Sequence, residues 1–270
     1  CATAGECDSR LVDAAQGAAC LADPDACKYK CLLPSADPAN SGCVLRAATA
    51  DCPTELPSFL TPEDASLLNC VTTVGAEQHN NASLEQGLAT GLLALESAGP
   101  NFEQAGSFLR KDAELLVVFV SDEEDCSTAE GKVLQKEEFG TCLCLPDSDN
   151  GGPMWPVQSL VGRYRALKAD PEQVHVAVIV GDSLASDPEE VSQDRLAYRQ
   201  SKCSMCVNPE DAHPLLFNTY ICNSKAGKAD LGLRFIEFAD SFGDNGTRFN
   251  VCRHESMVPA VVTAIQNALK

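Results

Sequence analysis

Two stretches of the chain are dominated by apolar residues and of strand length: residues 114–121 (ELLVVFVS), apolar throughout Leu115–Val120, and Val174–Val180 (VHVAVIV), broken only by His175 and closed by Gly181. A continuous valine-rich run, unlike an alternating one, marks a strand covered on both faces, as in a parallel sheet packed between helices. Helical stripes flank these runs. Residues 83–96 space Leu84, Leu88, Leu92 and Leu95 three or four apart, with Asn81 or Ser83 placed to cap and Gly99-Pro100 to stop the helix. Residues 156–169 repeat the pattern through Val157, Leu160, Val161, Tyr164 and Leu167, and residues 230–242 through Leu231, Phe235, Phe238 and Phe242. A short strand is expected at residues 248–252 and a closing helix at 255–269. Helices alternating with buried strands predict an α/β fold: a doubly wound, mostly parallel sheet, Rossmann-like in its connections, with helices on both faces.

Residues 1–70 have a different texture. They hold eight of the 15 cysteines, with many Ala, Asp, Pro and Ser and few β-branched runs. Such a segment reads as loops held by crosslinks in place of a core. The expected division is therefore a cysteine-rich segment, 1–70, followed by an α/β domain, 71–270. Two insertions interrupt that domain, residues 126–152 and 184–228. Each follows the carboxyl end of a buried strand, the edge at which open α/β sheets bind ligands.

Fifteen cysteines without a repeated zinc pattern predict an oxidising compartment, outside the cell or in a periplasm. The number is odd, so one thiol lies outside any internal pairing. Cys1 fits that place as a lipid-anchored first residue, which implies a cell-surface or outer-membrane lipoprotein, or it is simply where the chain was cut. No apolar run reaches the length of a membrane span. The net charge of −19 disfavours nucleic acid and anionic lipid as partners and favours basic proteins or divalent cations. It also serves plain solubility.

The sharpest local feature is Ser121-Asp122-Glu123-Glu124-Asp125-Cys126-Ser127, directly after the first buried strand. Adjacent carboxylates raise one another's pKa unless a cation or water relieves them. Hard oxygen donors suit Mg²⁺ or Ca²⁺, with Asp122, Asp125 and a nearby hydroxyl as candidate ligands. The competing reading is a solvated acidic turn.

Residues 115–127 (LLVVFVSDEEDCS) resemble the fourth strand and following loop of von Willebrand factor A domains, in their disulfide-rich bacterial branch. Residues 70–95, 157–181, 231–246 and 251–269 are similar to later and earlier parts of that branch in the same order. The resemblance implies a metal-ion-dependent adhesion site, in which a divalent cation takes a carboxylate from a protein or cell-surface ligand. Asp122 matches the acidic residue of its third loop, and Ser83 is the hydroxyl nearest the position of its second-loop threonine. The first-loop Asp-x-Ser-x-Ser occurs nowhere in the chain; Asp8-Ser9-Arg10 comes closest. The family's order also puts another strand beside residues 115–120. Its place would fall to a missing N-terminal half, to residues 1–70, or to a strand-donating partner.

Other chemistry is less well supported by pattern. Cys203-x-x-Cys206 has zinc spacing, but disulfides are the ordinary reading in an oxidising setting. Cys142-x-Cys144 is placed to staple the acidic loop, and Cys222 with Cys252 to tie the second insertion to the last strand. Residues 147–151 (DSDNG) read as a turn, and His175, alternating inside a strand, as a core residue. There is no G-x-S-x-G elbow, phosphate loop, G-x-G-x-x-G or H-E-x-x-H. The expected role is therefore an exported binding or adhesion domain, not an enzyme. A structural surface protein with a degenerate metal site and a metal-dependent periplasmic hydrolase are the alternatives.

Overall fold

The computed structural model describes residues 85–96, 109–129, 142–207, 219–225, 227–253 and 257–268. The chain divides into two compact units, residues 1–82 with 90–110 and residues 83–89 with 111–270. Segment 1–70 lies outside the described residues. In the first unit the described residues are the second half of a helix, to Glu96, and residues 109–110.

The helices are α1 (Gly87–Leu95), α2 (Val157–Arg165), α3 (Pro188–Val207), α4 (Leu233–Asp240) and α5 (Met257–Ala268). Strands β1 (Leu115–Val120), β2 (Val174–Val180) and β5 (Gly246–Asn250) form a parallel sheet in the order β1-β2-β5. Strands β3 (Cys222–Asn223) and β4 (Lys228–Ala229) make a small antiparallel hairpin. Both valine-rich runs are therefore adjacent parallel strands, paired from Leu115↔Val174 to Val120↔Ile179. All seven residues of β2 are buried, because it is the central strand and both its faces are covered.

One face packs on aromatic rings. Phe119 lies 5.7 to 6.0 Å from Tyr164, Phe235 and Phe238, and Phe238 touches Phe242 at 5.1 Å. Around Phe119 of β1 these rings come from α2, α4 and the turn after α4, so the stripes read from the sequence are the ones that bury. The Tyr164 hydroxyl donates to the Leu88 carbonyl at 2.8 Å, which draws the start of α1 onto the same face. The opposite face carries α5, whose Asn267 and Ala268 lie beside His175. His175 is buried, with Nε2 3.0 Å from Glu114 Oε2 and Nδ1 without a partner.

Two expectations need correction. The last strand is Gly246–Asn250, two residues earlier than 248–252. The turn Gly243–Asn245 delivers the chain directly into the sheet, and Gly246 fits there because a Cβ would collide with the Ala239 carbonyl. At the other end Asn250, still paired with Val180, donates its side-chain Nδ2 to the Asp182 and Ser183 carbonyls, at 2.7 and 2.9 Å. Residues 184–228, read as a loop insertion, contain the 20-residue helix α3. Its signal was local: Asp187 Oδ1 accepts the backbone N–H of Glu189 and Glu190, and Pro188 occupies the first turn. The apolar stripe that usually reveals a helix is weak here, because α3 lies largely in water and Leu196 points outward.

Among the described residues three disulfides brace this unit: Cys126–Cys142, Cys144–Cys203 and Cys222–Cys252. The first staples the acidic loop and the third ties the second insertion to the end of β5, as the spacing led one to expect. The second joins the two insertions. With Cys203 held this way, the zinc reading of Cys203-x-x-Cys206 does not stand.

Candidate functional site

The carboxyl ends of β1 and β2 form a rim, and the second insertion lies across it. Asp230 N–H donates to the Asp122 carbonyl at 2.8 Å, and Gly232 N–H to the Gly181 carbonyl at 3.0 Å. The approach is so close that a Cβ on Gly181 would collide with the Asp230 carbonyl. The β3–β4 hairpin, fastened by Cys222–Cys252, thus straps the end of β2.

The four successive acids after β1 have two different fates. Asp122 and Glu123 are exposed, whereas Glu124 and Asp125 are buried. Glu124 Oε2 accepts Leu233 N–H at 2.9 Å, and Oε1 accepts Arg234 N–H at 3.0 Å and Asp125 N–H at 2.9 Å. It therefore caps α4, where free backbone donors and the helix dipole both favour a carboxylate. Burial pushes Glu124 up to about 8, against the pull of the Asp125 and Arg234 N–H groups.

Asp125 does the same for α1. Its Oδ1 accepts Leu88 N–H at 3.1 Å and the Ser127 hydroxyl at 2.7 Å; Oδ2 accepts Ser127 N–H at 3.2 Å and Arg234 Nε at 3.1 Å. Ser127 Oγ accepts the next helical N–H, from Ala89, at 2.9 Å. Half of the acidic run is thus a knot joining two helix starts to the end of β1.

Of the residues expected to ligate a cation, Asp122 stands exposed at the rim, Asp125 is sealed among four donors, and Ser83 lies outside the described residues. A cation reaching Asp125 would have to displace Arg234 and the cap of α1. Among the described residues, no three His, Cys, Asp or Glu side chains are grouped so as to hold a metal ion.

The sequence did not bring forward the cleft beside Asp122. Its wall is Glu123, Tyr198, Lys202, Asp230 and Leu143, floored by the Cys126–Cys142 disulfide. The Tyr198 hydroxyl donates to Asp230 Oδ1 at 2.6 Å, and Lys202 Nζ lies 3.4 Å from the same oxygen. Ser121 Oγ donates to Glu85 Oε2 at 2.6 Å and accepts Glu123 N–H at 3.1 Å. Although Glu123 keeps an exposed side, partial loss of water where it lines the cleft, together with the charges of Glu85, Asp122 and Asp230, pushes its carboxyl up to about 7; Lys202 opposes this. Burial, then the Asp230 bond, drives the Tyr198 phenol strongly upward, so it stays protonated. The enclosed space is ≈ 40 Å³, enough for water or a single small group and far short of the roughly 300 Å³ at which metabolite pockets begin. A faint signal was present in the sequence: Tyr198 and Lys202 are four apart, one turn of a helix.

Around the rim, other polar and aromatic side chains are engaged within the fold. Asp147 caps the turn Ser148–Asn150, accepting Asn150 N–H at 3.0 Å, and Gly151 follows at φ 80. Trp155 carries the Arg163 guanidinium 4.3 Å above its ring, and its carbonyl accepts Arg234 Nη2 at 2.8 Å. No family model, curated protein or solved structure matches the chain.

Proposed function

We propose that this chain is an exported, disulfide-braced binding domain of von Willebrand A type, which meets a protein or cell-surface ligand at the rim beyond β1. One observation carries the reading: Asp122 and Glu123 stand exposed at the carboxyl end of a buried parallel strand, on a loop whose other half is locked into two helix starts. Acidic groups held on so fixed a base lose little freedom when a partner arrives. The charge of −19 draws basic partners toward it. Because Asp125 is engaged by Arg234, contact runs through the Asp122 carboxylate to a lysine or arginine, without a bridging cation. The three disulfides support an oxidising compartment. Among the described residues no helix is long and apolar enough to cross a membrane.

The test is a panel of short lysine- and arginine-containing peptides, titrated with and without a chelator against the intact chain, Asp122→Asn and Asp244→Asn. Asp244 is exposed in the turn before β5, at the opposite edge of the sheet, and its change removes the same charge. Asp122→Asn should weaken binding at least tenfold and Asp244→Asn hardly at all. Equal losses would mean undirected charge attraction. A strict need for Mg²⁺ or Ca²⁺ would restore the cation-bridged mechanism.

A further inference from the structure

The two faces of the sheet are filled unequally. In register, Leu116, Val118 and Val120 share a face with His175, Ala177 and Ile179 of β2. On β2 those three positions are buried under α5. On β1 the cover runs out toward the rim: Val118 is 38% exposed and Val120 59%. Helix α5 touches all three strands and lays its C-terminal end at His175, so it runs antiparallel to them. Helix α5 contacts β1 directly as well as β2. Ile265 and Val262, three residues apart on α5, are 44% and 46% exposed. Single exposed apolar residues are ordinary, but four branched ones on two elements in contact, β1 and α5, are the kind of surface that binds partners.

We propose that this face docks an amphipathic helix of a partner protein, its apolar stripe on Val118 and Val120 beside α5 and its basic residues toward Asp122 and Glu123. Helices pack side by side at 8–10 Å, so a helix parallel to α5 would complete the layer that covers β2 but stops over β1. The charge of the partner follows from the exposed pair just past β1, Asp122 and Glu123, and from the net −19 of the chain. The same charge argues against a second copy as occupant, since like surfaces repel. This surface adjoins the rim described above and shares with it only the acidic end. Its apolar contact stands or falls independently.

The probe is a labelled 18-residue helix of leucine and lysine, with a leucine–glutamate helix as its charge control, titrated against the intact chain. The lysine form should bind and the glutamate form should not. The double change Val118→Glu/Val120→Glu should weaken binding at least tenfold, although it makes the protein more acidic and so strengthens undirected attraction. The milder Val118→Thr/Val120→Thr keeps the β-branched shape and guards against misfolding; it should weaken binding severalfold. Asp122→Asn should give a smaller loss that fades as salt rises. Unchanged or tighter binding to the glutamate variant would overturn the proposal. So would failure of the intact chain to bind, as expected if its own N-terminal residues cover the face, or a dimer in sedimentation that the peptide does not dissociate. Loss of rim-peptide binding in Asp122→Asn with no effect of the valine changes would leave the rim reading standing and remove this one.

Discussion

Arg234 joins the two buried carboxylates of the acidic run: its Nε lies 3.1 Å from Asp125 Oδ2, and its own backbone N–H donates to Glu124 Oε1 at 3.0 Å. Asp125 is fully enclosed and the Arg234 side chain nearly so. Breaking a buried pair from one side strands the other charge. Asp125→Ala and Arg234→Ala should therefore each cost about 3–5 kcal/mol, and the double change should cost clearly less than their sum. Urea denaturation of the four proteins measures this. Single losses below about 1 kcal/mol would mean the loop is held by something else.

Glu123 makes stability depend on pH in a defined direction. Its folded carboxyl titrates near 7 instead of the ordinary 4.5, so between those values the folded chain binds more protons than the unfolded one. Its contribution is therefore complete below about 4.5 and lost as pH rises through 7. Glu124, raised to about 8, acts in the same sense. The urea midpoint should fall from pH 5 to pH 8. In Glu123→Gln the fall should be shallower, with the variant more stable than the parent at pH 8 and the gap narrowing at pH 5. A parallel pair of curves would show that Glu123 titrates normally.

Gly181 is required by contact, not by backbone angle. Gly181→Ala would drive a methyl group into the Asp230 carbonyl and push the strap off the end of β2. The expected cost is about 2 kcal/mol or more, with faster hydrogen exchange at Asp230 and Gly232, whose N–H groups bond the rim. Gly162, where a Cβ meets nothing within 4 Å, is the control: Gly162→Ala should be neutral or stabilising.

The hairpin owes its position to Cys222–Cys252, which closes a sequence separation of 30. Replacing both with serine should cost about 3–4 kcal/mol if the crosslink acts mainly on the unfolded chain. The effect should be read in thermal melts and in proteolysis near residues 219–225. A loss under 1 kcal/mol with intact protease resistance would show that the Ser224 hydroxyl bond to the Cys252 carbonyl, 2.7 Å, suffices to hold the strap.

What could be read along the chain was whatever burial writes into it locally. Strands β1 and β2, the ring-bearing helices α2 and α4, and closing helix α5 all followed from apolar runs and stripes, since residues that share a buried face recur at the period of the backbone. Helix α3 was hidden because it buries little, leaving only its Asp187-Pro188 start as a mark. The acidic run was visible as a feature but not as a mechanism.

The order of residues determined that a buried strand ends in four carboxylates, and that these sit at the carboxyl-end rim of a parallel sheet. Tertiary structure alone decided which of them face water. Glu124 and Asp125 are withdrawn by helix starts that lie 109 positions later, at Leu233, and 37 positions earlier, at Leu88. Backbone donors brought in from so far leave no trace in the composition of the loop, because any sequence that begins a helix there supplies the same N–H groups.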